Sequence, residues 1–206
     1  MEIETKYIID EKFKIDKIFA DDYVRSIADK DSEETVPMKS VYYDTEEGRL
    51  QKDGIAMRVR KEGEKLVATL KWNGKSKDGL YKREEINIPV SDENSLMNAD
   101  IEIFEQSQMY QVLKDLTKGR KLVPIMDMEF DRRQIRLDTG NSISELSIDN
   151  GIINCGGKQA EIQEMEIELY SGDCDDMEAI GDKLAEKYSL QKGERSKFKQ
   201  GLDLLK

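Results

Sequence analysis

The chain has 206 residues, 37% of them charged and 37% hydrophobic, with a formal net charge of −11. That length suits one large domain or two small ones, and with no obvious linker residues 1–206 read as one domain. The acidic balance excludes a general nucleic-acid-binding surface, which needs a basic face, but leaves room for a local basic pocket.

No stretch approaches the roughly 20 apolar residues that span a bilayer, and the acidic, alternating N-terminus does not resemble a signal peptide. Cys155 and Cys174 suit a reducing compartment and read as incidental thiols that could pair. The expectation is a cytoplasmic monomer or homodimer with no nucleic-acid or membrane partner. The chain has no histidine. That removes Ser-His-Asp and Cys-His triads and His-ligated zinc. Any metal site must be built mainly from oxygen ligands, which suit Mg²⁺, Mn²⁺ or Ca²⁺.

In chain order, residues 2–9 alternate as a strand. A rough 3.6-residue period over 13–29 predicts a helix. Residues 40–45 read as a strand, and 55–63 and 65–72 as a hairpin turning at Glu62-Gly63-Glu64. Residues 73–79 read as a polar loop and 80–90 as another strand. Residues 92–117 look mostly helical. Residues 122–138, 142–151 and 158–172 are extended, and helices close the chain near 175–188 and 196–205. That makes eight strand candidates, mostly in hairpin order.

The strand faces carry the functional signal. Successive side chains of a strand point to opposite sides. Glu2, Glu4 and Lys6 therefore share one face, and Ile3, Thr5 and Tyr7 the other. Arg58 and Arg60 lie opposite Met57 and Val59, and Arg132, Gln134 and Arg136 opposite Ile135 and Leu137. Glu145, Ser147 and Asp149 lie opposite Leu146 and Ile148; Glu164, Glu166 and Glu168 lie opposite Met165, Ile167 and Leu169. Single-sign rows repel unless something bridges them. Cations between carboxylates and a polyanion between arginines would do so. An eight-stranded sheet closed on itself offers an interior where both could sit. Tyr42 and Tyr43 read as barrel packing, Trp72 as outward packing, and helix 175–188 as a solvated amphipathic helix.

The E-x-E-x-K at Glu2, Glu4 and Lys6 resembles the signature of the CYTH domain, the triphosphate tunnel metalloenzyme superfamily. The likeness continues through Tyr42-Tyr43-Asp44-Thr45, Leu50, Gly54, Arg58, Arg60, Thr69-Leu70-Lys71, Arg83-Glu84-Glu85, residues 145–151, 166–169 and Ser196-Lys197. The opening motif is short; the ordered set is specific. It implies an α+β, mainly β, fold: a closed eight-stranded antiparallel barrel forming a tunnel, with helices outside. It implies Mg²⁺ or Mn²⁺ bound by Glu2, Glu4, Asp149, Glu166 and Glu168. It implies a triphosphate bound by Lys6, Arg58, Arg60, Lys71, Arg83 and Lys197, with Glu85 ordering the arginines. Alternation favours Arg132 as a further ligand, with Arg133 the competing choice. Glu2, Glu4, Lys6, Arg58 and Lys71 are the expected catalytic set.

The family includes inorganic triphosphatases, thiamine triphosphatases and class IV adenylate cyclases. The cyclase branch carries a histidine-phenylalanine element ahead of its E-x-E-x-K, and this chain has none. Hydrolysis of tripolyphosphate is therefore the favoured expectation, with ATP or thiamine triphosphate as alternative substrates. A polyphosphate or nucleotide sensor, or a structural protein with a charged interior, are the readings from other classes.

Overall fold

The computed structural model describes residues 1–10 and 12–206. Eight strands form the body: β1 (Glu2–Ile8), β2 (Glu34–Asp44), β3 (Ala56–Glu62), β4 (Lys65–Lys77), β5 (Leu80–Pro89), β6 (Val123–Asp138), β7 (Ser142–Cys155) and β8 (Lys158–Gly172). They pair antiparallel in the order β5-β4-β3-β2-β6-β7-β8-β1, and β1 pairs with β5 to close the barrel. A two-residue strand, β9 (Gln191–Lys192), pairs with β1 at Tyr7 and Ile8, just past the end of the β1–β5 pairing. This is the closed, mainly β, α+β architecture expected.

The helices are α1 (Asp16–Phe19), α2 (Asp22–Ile27), α3 (Arg49–Lys52), α4 (Tyr110–Thr117), α5 (Cys174–Tyr188) and α6 (Lys197–Asp203). Two apolar clusters seat most of them outside the barrel. On one flank, Tyr7, Ile135, Leu146, Ile148, Met165 and Ile167 face Phe19 and Val24 and the α5 residues Met177, Ile180 and Leu184. On the other, Val41, Met57, Val59, Ala68 and Leu70 face Leu50, Phe104 and Leu113.

The structure corrects several boundaries. The helix expected over 13–29 is two short helices, α1 and α2, and a turn at Lys30–Ser32 follows them. Residues 92–117 hold two short 3-10 turns, Glu93–Leu96 and Ile101–Phe104, before α4. Strand β2 begins at Glu34, six residues before the expected start at 40. Pro37 is tolerated there because its carbonyl faces the β3–β4 turn, accepting from Gly63 N, so its missing N–H removes no bond to β6. The loop expected over 73–79 is mostly strand. A register shift between Trp72 and Lys75 absorbs one extra residue, with Asn73 in the left-handed region at φ 52°. Asp78 and Gly79, both at positive φ, then make the two-residue hairpin turn.

Because neighbouring strands alternate in direction, the turn at 63–64 and the start of β1 lie at one end of the barrel. The turns at 78–79 and 156–157 lie at the other, with α6. Here the interior is apolar: Met126, Met128, Phe130, Ile153 and Ile162 pack with Phe198 and Leu202 of α6.

Candidate functional site

A cavity of about 1140 Å³ occupies the barrel and is lined by residues from both ends. Its wall includes Glu2, Glu4, Lys6, Arg58, Arg60, Lys71, Arg83, Arg132, Glu166, Glu168 and Lys197. Alternation and closure together put them there: each stands on the inward face of its strand, except Lys197, which α6 carries in. Asp149 is fully buried behind this wall, bonded to Arg132 and Lys197. Of the two competing arginines, Arg132 points inward. Arg133 points outward, paired with Glu33 and Asp16 and lying 4.1 Å over the Phe19 ring.

The interior charges sort into three groups. The first is balanced. Lys6, Arg132 and Lys197 interlock with Asp149, Glu164 and Glu166 through contacts of 2.5–3.0 Å. Burial pushes the Glu166 carboxyl up, but Lys197, Lys6 and Arg132 outweigh it and hold it well below the usual range. The same opposition leaves Asp149 low, and Lys6 and Arg132 raised well above their ordinary values. Oxygens of Asp149, Glu164 and Glu166 lie within 4.8 Å of one another, so this cluster could hold a metal ion. Alternation puts Glu164 in the acidic row, and the structure adds it to the cluster.

The second group runs along β1, β4 and β5. Glu2 accepts from Lys71 at 2.8 Å and from Arg83, and Arg83 also reaches Glu4 at 3.1 Å. Burial raises the Glu2 carboxyl, but Lys71 and Arg83 bring it well below its ordinary value. Glu85 pairs with Lys71 at 2.8 Å. A hydrogen-bond chain then leads from Glu85 through Asn87 and Thr69 to Arg58: Arg58 donates to Thr69, Thr69 to Asn87 and Asn87 to Glu85.

The third group is poorly compensated. Arg58 makes no ion pair among the described residues, and its buried Nε has no hydrogen-bond partner there. Arg60 donates to Ser40 at 3.0 Å, and its carboxylate neighbour Glu62 is 3.5 Å away. Burial, then Arg58 and Arg132, lowers the Arg60 guanidinium to about 10. On the opposite wall Glu168 forms no ion pair among the described residues. Burial, then Glu2 and Glu4, against the opposing charge of Lys71, pushes its carboxyl up to about 8. Glu4 is raised by burial and by Glu166, with Arg83 and Lys6 opposing.

The donor set fits a hard divalent cation: the carboxylates are all-oxygen ligands, and on the crowded Glu4–Glu168 side Glu4 has Arg83 as a partner while Glu168 has no ion pair among the described residues. Glu4 and Glu168 sit directly opposite each other on β1 and β8. The Asp149, Glu164 and Glu166 cluster already has three ammonium or guanidinium partners. Electrostatic need for a cation is therefore greater around Glu168.

Two aromatic assignments change in detail. Tyr42 faces the cavity, directly opposite Arg58 in register, whereas Tyr43 faces outward and bonds Leu96 O at 2.8 Å. Trp72 packs against the outer apolar cluster as expected, yet part of it also lines the cavity. In the same segment, Asp44 caps α3, accepting from Leu50 N and Gln51 N. Cys155 and Cys174 are both free thiols.

A closed antiparallel barrel with a charge-lined interior defines the class, and comparison with known proteins gives the family. Residues 1–202 match the CYTH domain, and the chain belongs to that family. It is 29% identical over 163 residues to the inorganic triphosphatase of Haemophilus influenzae, covering 79% of this chain and 44% of that protein. The chain thus spans under half the length of that relative. The fold is similar to that of a candidate adenylyl cyclase from Hippeastrum with a dominant triphosphatase activity, at TM-score 0.69 and 19% identity, covering 96% and 93% of the two chains. A candidate adenylate cyclase from Bacillus halodurans superposes at TM-score 0.63 and 20% identity, covering 97% and 96%. No described helix is long and apolar enough to cross a membrane.

Proposed function

We propose that the chain hydrolyses triphosphates in a metal-dependent reaction, with inorganic tripolyphosphate the preferred substrate. One observation carries this reading. The same cavity holds guanidiniums poorly matched by anions, the buried Arg58 with no ion pair among the described residues and the buried Arg60 with only Glu62 at 3.5 Å, and a half-buried carboxyl, Glu168, with no ion pair among the described residues. A polyanion bound together with a divalent cation meets both needs. The similarity to an inorganic triphosphatase supports the choice of substrate.

In this reading Arg58, Arg60, Lys71 and Arg83 bind the phosphate chain through charge-assisted hydrogen bonds. Lys6, Arg132 and Lys197 contribute from the balanced cluster. Glu2, Glu4, Glu166 and Glu168, with Asp149 behind them, form the cation side. Mg²⁺ or Mn²⁺ held there would neutralise phosphoryl oxygens and lower the pKa of bound water. Water attacks the terminal phosphorus, the anhydride P–O bond breaks, and pyrophosphate and orthophosphate leave with release of a proton. Transition-state charge is stabilised by cations already fixed in place, so little reorganisation is required. No histidine base enters this scheme, in keeping with a chain that has none. Free thiols suit a cytoplasmic setting.

The test is phosphate release from tripolyphosphate, ATP and thiamine triphosphate, each with Mg²⁺, with Mn²⁺ and with excess chelator. Metal-dependent release from tripolyphosphate supports the proposal. Release only from ATP or thiamine triphosphate moves the substrate. ATP giving pyrophosphate and a cyclic nucleotide makes it a cyclase, and binding without turnover makes it a sensor.

A further inference from the structure

We propose that Tyr42 is a substrate-contact residue whose hydroxyl donates a hydrogen bond to the bound polyphosphate. The inference rests on the triphosphate reading of this cavity and adds a neutral donor to its cationic wall.

Tyr42 stands on the inward face of β2, lines the cavity and is only 6% exposed. Its cross-strand partner is Arg58, whose guanidinium lies 6.0 Å from the ring centre. Arg58, Arg60 and Lys71 are the charged groups that act on its hydroxyl. These are the cations assigned above to the phosphate chain, and Tyr42 lines the same cavity as all three. On the far side the ring stacks on Phe198 of α6, with centroids 5.0 Å apart and planes 26° from parallel. A residue needed only for packing requires the ring and not the hydroxyl. Here the apolar contact is made by one face of the ring, while the side chain lines the charged cavity beside Arg58.

The electrostatics agree with that geometry. Burial alone would raise the phenol, yet Arg58, Arg60 and Lys71 together bring it below its ordinary value. A more acidic hydroxyl is a stronger donor toward a phosphoryl oxygen. The Phe198 stack also fixes the ring before ligand arrives, which lowers the ordering cost on binding. The sequence contained half of this: alternation puts Tyr42 on the face of Ser40. It could not show that the face is lined by three cations.

The test compares wild type with Tyr42→Phe, which keeps the ring and the stack and removes only the oxygen. Tripolyphosphate binding is measured by calorimetry with Ca²⁺ in place of the activating cation, alongside the tyrosine ultraviolet difference spectrum on adding ligand. Loss of a hydrogen bond to a charged group is expected to weaken binding by about 10- to 100-fold. The difference spectrum seen in wild type should disappear, and the melting temperature without ligand should be unchanged. Equal affinities, or wild-type binding that leaves every tyrosine unperturbed, overturn the role of Tyr42 and leave the triphosphate reading standing. Wild type that binds no tripolyphosphate overturns both. Because the spectrum is read on wild type, a variant that fails to fold does not rescue the proposal.

Discussion

At the scale of single residues, Arg58 and Glu168 line the candidate site from opposite walls. Arg58 is buried, unpaired among the described residues, and has an orphaned Nε. Arg58→Ala is expected to raise the KM for tripolyphosphate by about 10- to 100-fold, the worth of a charge-assisted hydrogen bond; steady-state kinetics at several substrate concentrations reads this directly. Glu168 gives a prediction with a definite sign. Its folded-state value, near 8, lies above the ordinary 4.5. Folding therefore retains a proton that the unfolded chain has released between pH 4.5 and 8, and the carboxyl destabilises the ligand-free fold increasingly across that window. Glu168→Gln should match wild type at pH 4 and be more stable by about 1–3 kcal/mol at pH 7. Denaturant melts at the two pH values check it. Equal stability of the two proteins at pH 7 would contradict the crowding of carboxylates described here. The same variant should lose most of any stabilisation by divalent cation, which thermal melts with and without Mg²⁺ would show.

At the scale of elements, one contact ties two outer helices together and another ties a helix to the barrel. Asp21 caps α2, accepting from Tyr23 N at 2.8 Å, and also accepts from Tyr188 and Lys187 of α5. Asp21→Ala should cost about 1–2 kcal/mol in urea melts. Burial opposes ionisation of Asp21, but Lys187 and Tyr188 outweigh it, so its folded value lies below the ordinary 3.8. That contribution is present above pH 3.8 and is lost as pH falls through the folded value, so the variant should show a shallower acid loss than wild type. Gly181 is the second contact. A Cβ there would lie 2.4 Å from the Tyr7 hydroxyl, on a ring fixed by a bond to Asp182. Alanine in mid-helix gains roughly 0.5–1 kcal/mol in propensity, but overpacking costs about 1–3 kcal/mol. Gly181→Ala should therefore lower the melting temperature; a rise would mean that β1 and α5 separate more easily than their packing indicates.

For the whole molecule, the barrel concentrates like charges that a ligand would relieve. Under the proposed function, tripolyphosphate with a divalent cation at 100 times its dissociation constant adds about 2.7 kcal/mol to the stability of the folded state. For a chain of this size that is a rise of roughly 5–10 °C in melting temperature. Scanning calorimetry with the pair, and with each component alone, would show whether anion and cation act together. Much of the architecture was legible beforehand, because alternation is strong in β1, β3, β5, β7 and β8. What escaped had physical causes. The early part of β2 contains Pro37 and charged residues, and it is a strand because β6 is long enough to pair with it. Residues 73–77 lack apolar alternation and are held by backbone pairing to β5 across a register shift.

By itself the sequence determined the inward face of each strand, since side chains alternate wherever a strand forms. That was enough to group Glu2, Glu4 and Lys6, to pair Arg58 with Arg60, and to prefer Arg132 to Arg133. It also narrowed the chemistry: with no histidine, a metal site here is built mainly from oxygen ligands. Only the closed barrel decided which charges neutralise one another. Lys197 lies 31 residues from Glu166 in the chain and 3.0 Å from it in space. Its docking on α6 helps balance one acidic cluster, while Glu168, two residues along the same face, remains without a partner among the described residues. Alternation is a local property of the backbone, whereas charge compensation depends on distances across the barrel, which exist only after the sheet closes.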